Sequence, residues 1–100
     1  MTINVTNENK NIVIGIEGWL DTNASPELGE KIDEITEATS IVLDFDKVEY
    51  IASSGVRQIV YCYRKAKELC AEFSVVNVSA EIMSIIKLTG IDKKMKIEEK

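Results

Sequence analysis

Two adjacent hydroxyls followed by a glycine, Ser53-Ser54-Gly55, stand where an apolar run gives way to a helical pattern. A helix N-terminus presents unpaired backbone N–H groups and a positive charge of about half an elementary unit. A serine there can cap the helix with its hydroxyl oxygen, or it can carry a phosphate, which the same amides and dipole receive well. Nucleophilic attack by Ser53 is a third chemistry, and it needs a base. The chain has no histidine, so that base would have to be a carboxylate or a lysine. Asp21, Asp44 and Asp46 fall at strand ends, where the ligands of open α/β sheets gather, but an aspartate there is more commonly turn chemistry. A small hydrolase using the Ser53 and Asp44 region is therefore a remote alternative, and no catalytic residue is assigned.

Other chemistries find less support. Gly15 and Gly18 lack the third glycine of a phosphate-binding loop. Cys62 and Cys70 are eight apart on one expected helix, about 12 Å along its axis. They cannot bridge each other. Without histidine or closely spaced cysteines no zinc set exists, and the metal assignment is none; both thiols are expected buried or half-buried in a reducing compartment. Trp19, between Gly18 and Leu20, is either an exposed interface anchor or a half-buried strand-end residue. Arg57, Arg64, Lys65 and Lys67 read as a solvated helix face, or as a basic patch meeting an acidic partner.

The elements that would position Ser53 follow from periodicity. Ile3 to Thr6 and Ile12 to Gly18 alternate around the polar stretch Asn7 to Asn11 and read as a hairpin. Ser25-Pro26-Glu27 opens a helix, with serine as cap and proline in the first turn, and Leu28, Ile32 and Ile35 fall at helical spacing. Ile41 to Phe45 is a β-branched run suited to a central strand. Val56, Ile59, Val60, Tyr63, Ala66 and Cys70 then mark one face of a helix. Phe73 to Val78 is a strand, Ser79 caps a last helix with Ile82, Ile85 and Ile86 inward, and Gly90 closes it with Ile91 packing back. The order is β-β-α-β-α-β-α, with room for a short last strand at Lys96-Ile97. Such alternation implies right-handed crossovers and a sheet covered mainly on one side.

One hundred residues, 45% hydrophobic and 29% charged, suit one globular domain spanning 1–100 with one core. A net charge of −5 argues against nucleic acid and anionic membrane surfaces. No apolar run approaches the ~20 residues of a membrane span, and Met1-Thr-Ile-Asn-Val is not an export signal, so a cytoplasmic location is expected.

Asp44-Phe45, Val48, Tyr50-Ile51 and Ala52-Ser53-Ser54-Gly55 follow one another into a helix; Glu17-Gly18-Trp19-Leu20-Asp21 closes an early strand; Leu88-Thr89-Gly90-Ile91 ends the final helix. This order and spacing, over nearly the whole chain, resembles the STAS domain family, in particular the bacterial anti-sigma factor antagonists. The resemblance implies an α/β STAS-like single domain, a mixed sheet with helices packed mainly on one side. It implies Ser53 as phosphoacceptor and a partner-binding surface including Asp21, Asp44, Ser53, Ser54, Gly55 and Arg57. It also implies a kinase-type anti-sigma factor as partner, no cofactor, and transcriptional control through sigma release that serine phosphorylation switches off. One position departs from the family pattern, with Ala52 where an aspartate usually precedes the serine. That departure strengthens an alternative, a STAS binding subunit of another assembly, such as a lipid-transport complex or a stressosome-like sensor, with no phospho-switch.

Overall fold

The alternating apolar residues of Ile12 to Ile16 and Ile41 to Phe45 form the centre of a five-stranded sheet in the computed structural model, which describes all 100 residues. The elements are β1 (Thr2–Glu8), β2 (Asn11–Leu20), α1 (Ser25–Asp33), β3 (Ser40–Ile51), α2 (Ser53–Glu68), β4 (Glu72–Val78), α3 (Ala80–Thr89), a 3-10 turn (Ile91–Lys93) and β5 (Lys96–Glu99). The sheet order is β1-β2-β3-β4-β5; β1 is antiparallel to β2 and the remaining pairs are parallel. The expected short last strand is thus β5, and the expected hairpin turns through Asn9 and Lys10, whose φ angles are 52° and 70°.

Each parallel crossover adds its strand beside the previous one, so crossovers of one hand deposit their helices on one face. All three helices accordingly share one continuous core with the sheet. Leu28 and Ile32 of α1, Ile59, Cys62 and Ala66 of α2 and Ile86 of α3 pack there with Ile14, Leu43, Phe45 and Val75. Burial of each large side chain in this layer contributes roughly 1.5–3 kcal/mol. The opposite face carries Asn4, Val13, Gly15, Val42, Asp44, Ser74 and Val76, none of them fully buried.

β3 is longer than its expected span, Ile41 to Phe45, and continues to Ile51. Beyond Phe45 the buried residues are Val48 and Ile51, a spacing of three that no regular strand produces. Two irregularities against β2 account for it. Gly15 and Glu17 pair with Asp44 and Lys47, and Gly18 and Trp19 pair with Val48 and Tyr50, so β3 twice inserts an extra residue. The Asp44 carboxylate holds the first bulge: its Oδ1 accepts the Asp46 N–H at 3.0 Å and the Asn77 Nδ2–H at 3.0 Å.

Two caps differ from expectation. Ala24, not Ser25, occupies the N-cap position of α1, and Ser25 is buried one residue further in, donating its hydroxyl to the Asp21 carbonyl at 2.5 Å. Cys70 lies past the end of α2 with φ 57° and is exposed; Cys62 takes the inward position on that helix. The α3 caps are as expected, with the Ser79 Oγ accepting the Ile82 N–H at 3.3 Å and Gly90 left-handed at φ 79°.

Candidate functional site

The first turn of α2 is seated directly on the end of β2. The Ala52 N–H donates to the Leu20 carbonyl at 3.0 Å, continuing the β2–β3 pairing one step beyond Ile51. Gly55 comes down on the same carbonyl. A Cβ at this position would lie 2.6 Å from the Leu20 oxygen, 2.8 Å from Ile51 Cγ1 and 2.9 Å from Leu20 Cγ. No side chain fits there without moving the helix, so glycine is required by close approach and not by its backbone angles. The consequence is a fixed height and direction for the two residues before it.

Neither serine caps the helix. Ala52 is the N-cap residue, with φ −97° and ψ 171°, and its methyl group accepts no hydrogen bond. Ser53 is the first helical residue, exposed, and its hydroxyl has no partner within the chain. Ser54 is half-buried and donates to the Thr22 Oγ1 at 3.3 Å, joining α2 to the β2–α1 loop. Asp21 organises that loop: its Oδ1 accepts the Ala24 N–H at 2.9 Å, and its carbonyl accepts the Ser25 N–H at 2.8 Å. Arg57 is exposed and follows Ser53 by four residues, so the two positions lie on one face of α2.

Trp19 and Tyr50 are paired in register at the same end of the sheet and touch, with ring centroids 5.3 Å apart at 45°. Trp19 is 57% and Tyr50 44% exposed. Their neighbours Leu20 and Ile51 are buried beneath the helices, so the aromatic pair stands on the opposite side of the sheet. The resulting surface has an aromatic ridge on one flank and the Ser53 hydroxyl on the other. The open alternative for Trp19 is thereby decided in favour of exposure.

Asp21, Ser53, Ser54, Gly55 and Arg57 therefore meet at one end of the molecule, and Asp44 does not. Asp44 lies seven positions before Ile51 in β3, roughly 20 Å at the usual rise. Thr22 and Tyr50 belong to the site and are absent from the sequence-derived set. Tyr50 could have been found from its phase, since it precedes a buried strand-ending residue as Trp19 does. Thr22 leaves no such signal, because its contact with Ser54 crosses 32 residues of chain.

The STAS domain model matches residues 2–100. The chain belongs to the STAS domain family. Solved structures agree with this assignment. An anti-sigma factor antagonist from Mycobacterium paratuberculosis is 25% identical and superposes with a TM-score of 0.87, covering 99% of this chain and 86% of that one. The phosphorylated Bacillus cell fate determinant SpoIIAA is 20% identical at a TM-score of 0.75, covering 96% and 90%. RsbS from Moorella thermoacetica is 18% identical at 0.81, covering 100% and 88%. In this STAS domain no helix is long and apolar enough to cross a membrane. No group of three or more histidine, cysteine, aspartate or glutamate residues is placed to hold a metal ion. The basic residues Arg57, Arg64, Lys65 and Lys67 form no ion pair, and Lys67 lies over the Tyr63 ring at 5.2 Å.

Proposed function

We propose that this STAS domain is an anti-sigma factor antagonist, a binding module without a catalytic step of its own, which engages a kinase-type anti-sigma factor through the end of the sheet carrying Ser53. The observation that carries the reading is the first turn of α2: an exposed hydroxyl with no internal partner, held at fixed height by Gly55. Such a hydroxyl can enter a kinase active site without any part of the fold opening. The exposed Trp19–Tyr50 pair supplies the apolar anchor that a protein interface needs. Asp21, Ser54 and Arg57 surround the serine, and Gly55 lies beneath it.

Phosphorylation of Ser53 would add about 1.5 to 2 negative charges to a surface that must lose water on binding. Within the free domain the new charge is accommodated by the α2 amides and by Arg57 one turn along. The modified state is thus stable by itself and costly in the complex, which is what a switch requires. Two free thiols suit the reducing cytoplasm in which this exchange would run.

A second reading, a STAS subunit of another assembly without a phospho-switch, is supported by Ala52, which replaces the acid expected before the serine. One experiment separates the two. The purified chain is incubated with a panel of kinase-type anti-sigma factors and ATP, and complexes and phosphopeptides are mapped. Complex formation that is lost as phosphate appears on Ser53 supports the switch. Binding that persists with no phosphate on any serine supports the second reading, and absence of any complex across the panel refutes the antagonist assignment.

A further inference from the structure

We propose that the outer edge of β1 is a self-association surface, at which a second copy of this chain adds its own β1 antiparallel and joins two five-stranded sheets into one. The two edges of the sheet differ in how they are protected. β5 has four residues, of which Lys96, Glu98 and Glu99 are charged, and Lys96 and Glu98 pair at 3.6 Å. Short, charged strands of this kind resist pairing. β1 has seven residues, TINVTNE, with no lysine, no proline, no bulge against β2 and a single charge at its last position. It is a regular strand with an unguarded hydrogen-bonding edge.

The hairpin geometry says which backbone groups that edge offers. Glu8 and Asn11 flank a two-residue turn and so exchange both of their hydrogen bonds. Alternation then directs the N–H and C=O groups of Thr2, Asn4, Thr6 and Glu8 toward β2, and those of Ile3, Val5 and Asn7 outward. The strand is complementary to itself about Val5. In an antiparallel β1–β1 pair centred there, Val5 faces its own copy, Ile3 faces Asn7, Asn4 faces Thr6 and Thr2 faces Glu8. The outward groups of Ile3, Val5 and Asn7 all find partners, and no like charges stand opposite each other.

Side chains favour the same arrangement. Val5 is 44% exposed. With Ile3, Ile12 and Ile35 it forms the apolar part of a groove of about 590 Å³ between β1 and the end of α1, which Lys31, Glu34 and Glu37 also line. Because directly opposed residues share a face, the partner's Val5 and Ile3 would cover the open side of this groove. One strand and one groove rim make a small interface, below about 1,200 Å² in total, so weak and reversible dimerisation is expected.

Sedimentation velocity over a concentration series tests the proposal, together with residue-resolved amide exchange on the same samples. A monomer–dimer equilibrium is expected, in which the amides of Ile3, Val5 and Asn7 gain protection as concentration rises. The amides of Asn4 and Thr6 should be protected throughout. Val5→Pro removes an outward N–H that the hairpin does not use, a site where an edge strand tolerates proline, and it should abolish the dimer. Val5→Lys should do the same without a backbone change. A chain that stays monomeric throughout the series overturns the proposal. So does self-association that both variants retain, or that leaves the three outward amides unprotected. A β1 edge that pairs only with a foreign extended peptide and never with its own copy also overturns it.

Discussion

Replacing Ala52 by aspartate is expected to stabilise the fold, and the reason is specific to the first turn of α2. Ala52 has the extended conformation of an N-cap residue but no side-chain acceptor. The Ser53 and Ser54 amides have no partner within the chain, while those of Gly55 and Val56 already donate to the Ala52 carbonyl at 2.9 and 3.1 Å. An aspartate at this position can accept from Ser54, the second helical residue, which is the usual capping contact. A cap gained over alanine is worth about 1 kcal/mol. A carboxylate at the positive end of the helix dipole adds about 0.3–1 kcal/mol, part of which the cap already counts. The net expectation is about 1–2 kcal/mol, and each kcal/mol raises the melting temperature of a domain this size by roughly 4–8 °C. Thermal and urea denaturation of Ala52→Asp and Ala52→Asn measure the effect; the amide variant should recover most of it, lacking only the charge. Unchanged melting in both variants would show that residue 52 is not a cap position and would refute the argument. Kinetics of Ser53 phosphorylation in the same protein then report whether an acid here also serves the kinase, through a faster rate than in the parent chain.

Four further outcomes follow from the same geometry. Gly55→Ala should cost about 1–3 kcal/mol, by the usual penalty for overpacking, because its Cβ would meet the Leu20 carbonyl at 2.6 Å; urea titration checks this, and an unperturbed midpoint would mean that α2 shifts freely. Ser53→Asp should keep a cooperative melt close to that of the parent while weakening partner binding, and Trp19→Ala should weaken binding by tenfold or more, the ~1.4 kcal/mol or above expected of a buried anchor, without loss of stability; isothermal titration against the partner, beside a thermal melt, reads both. Burial raises the Cys62 thiol from 9.0 to about 12, so between these values the folded chain keeps a proton that the unfolded chain has lost. The stabilisation is complete below pH 9 and declines as pH rises toward 12, by up to about 1.4 kcal/mol per pH unit. The stability difference between the parent and Cys62→Ala should therefore narrow over that range, and a constant difference would count against the buried thiol.

Much of the fold is legible in the residues because local pattern and tertiary demand coincide there. Two-residue alternation marks β2, helical spacing marks α2, and Ser79 and Gly90 bracket α3 as their chemistry predicts. The pattern breaks down after Phe45. Bulges in β3 convert a two-residue period into a three-residue one, and a bulge depends on the neighbouring strand as much as on its own sequence. Cys70 departs from its periodicity for a related reason: the spacing continues the α2 face, but the helix ends at Glu68 and the chain turns back through a left-handed residue.

Composition, periodicity and the Ser-Ser-Gly motif by themselves determined the class of fold, the order of its elements and the strand-to-helix junction at which the two serines stand. All of these rest on interactions within a few residues of chain or on one repeating period. Only the tertiary structure decided that Ala52, and not a serine, holds the cap position, that Gly55 is pressed onto the Leu20 carbonyl, and that Trp19 finds Tyr50 on an open surface. It likewise separated Asp44 from Ser53 along the length of β3. Each of these depends on the registers of β2 against β3 and on the seating of α2 upon them, contacts between residues about 30 or more apart in the chain, which no local propensity encodes.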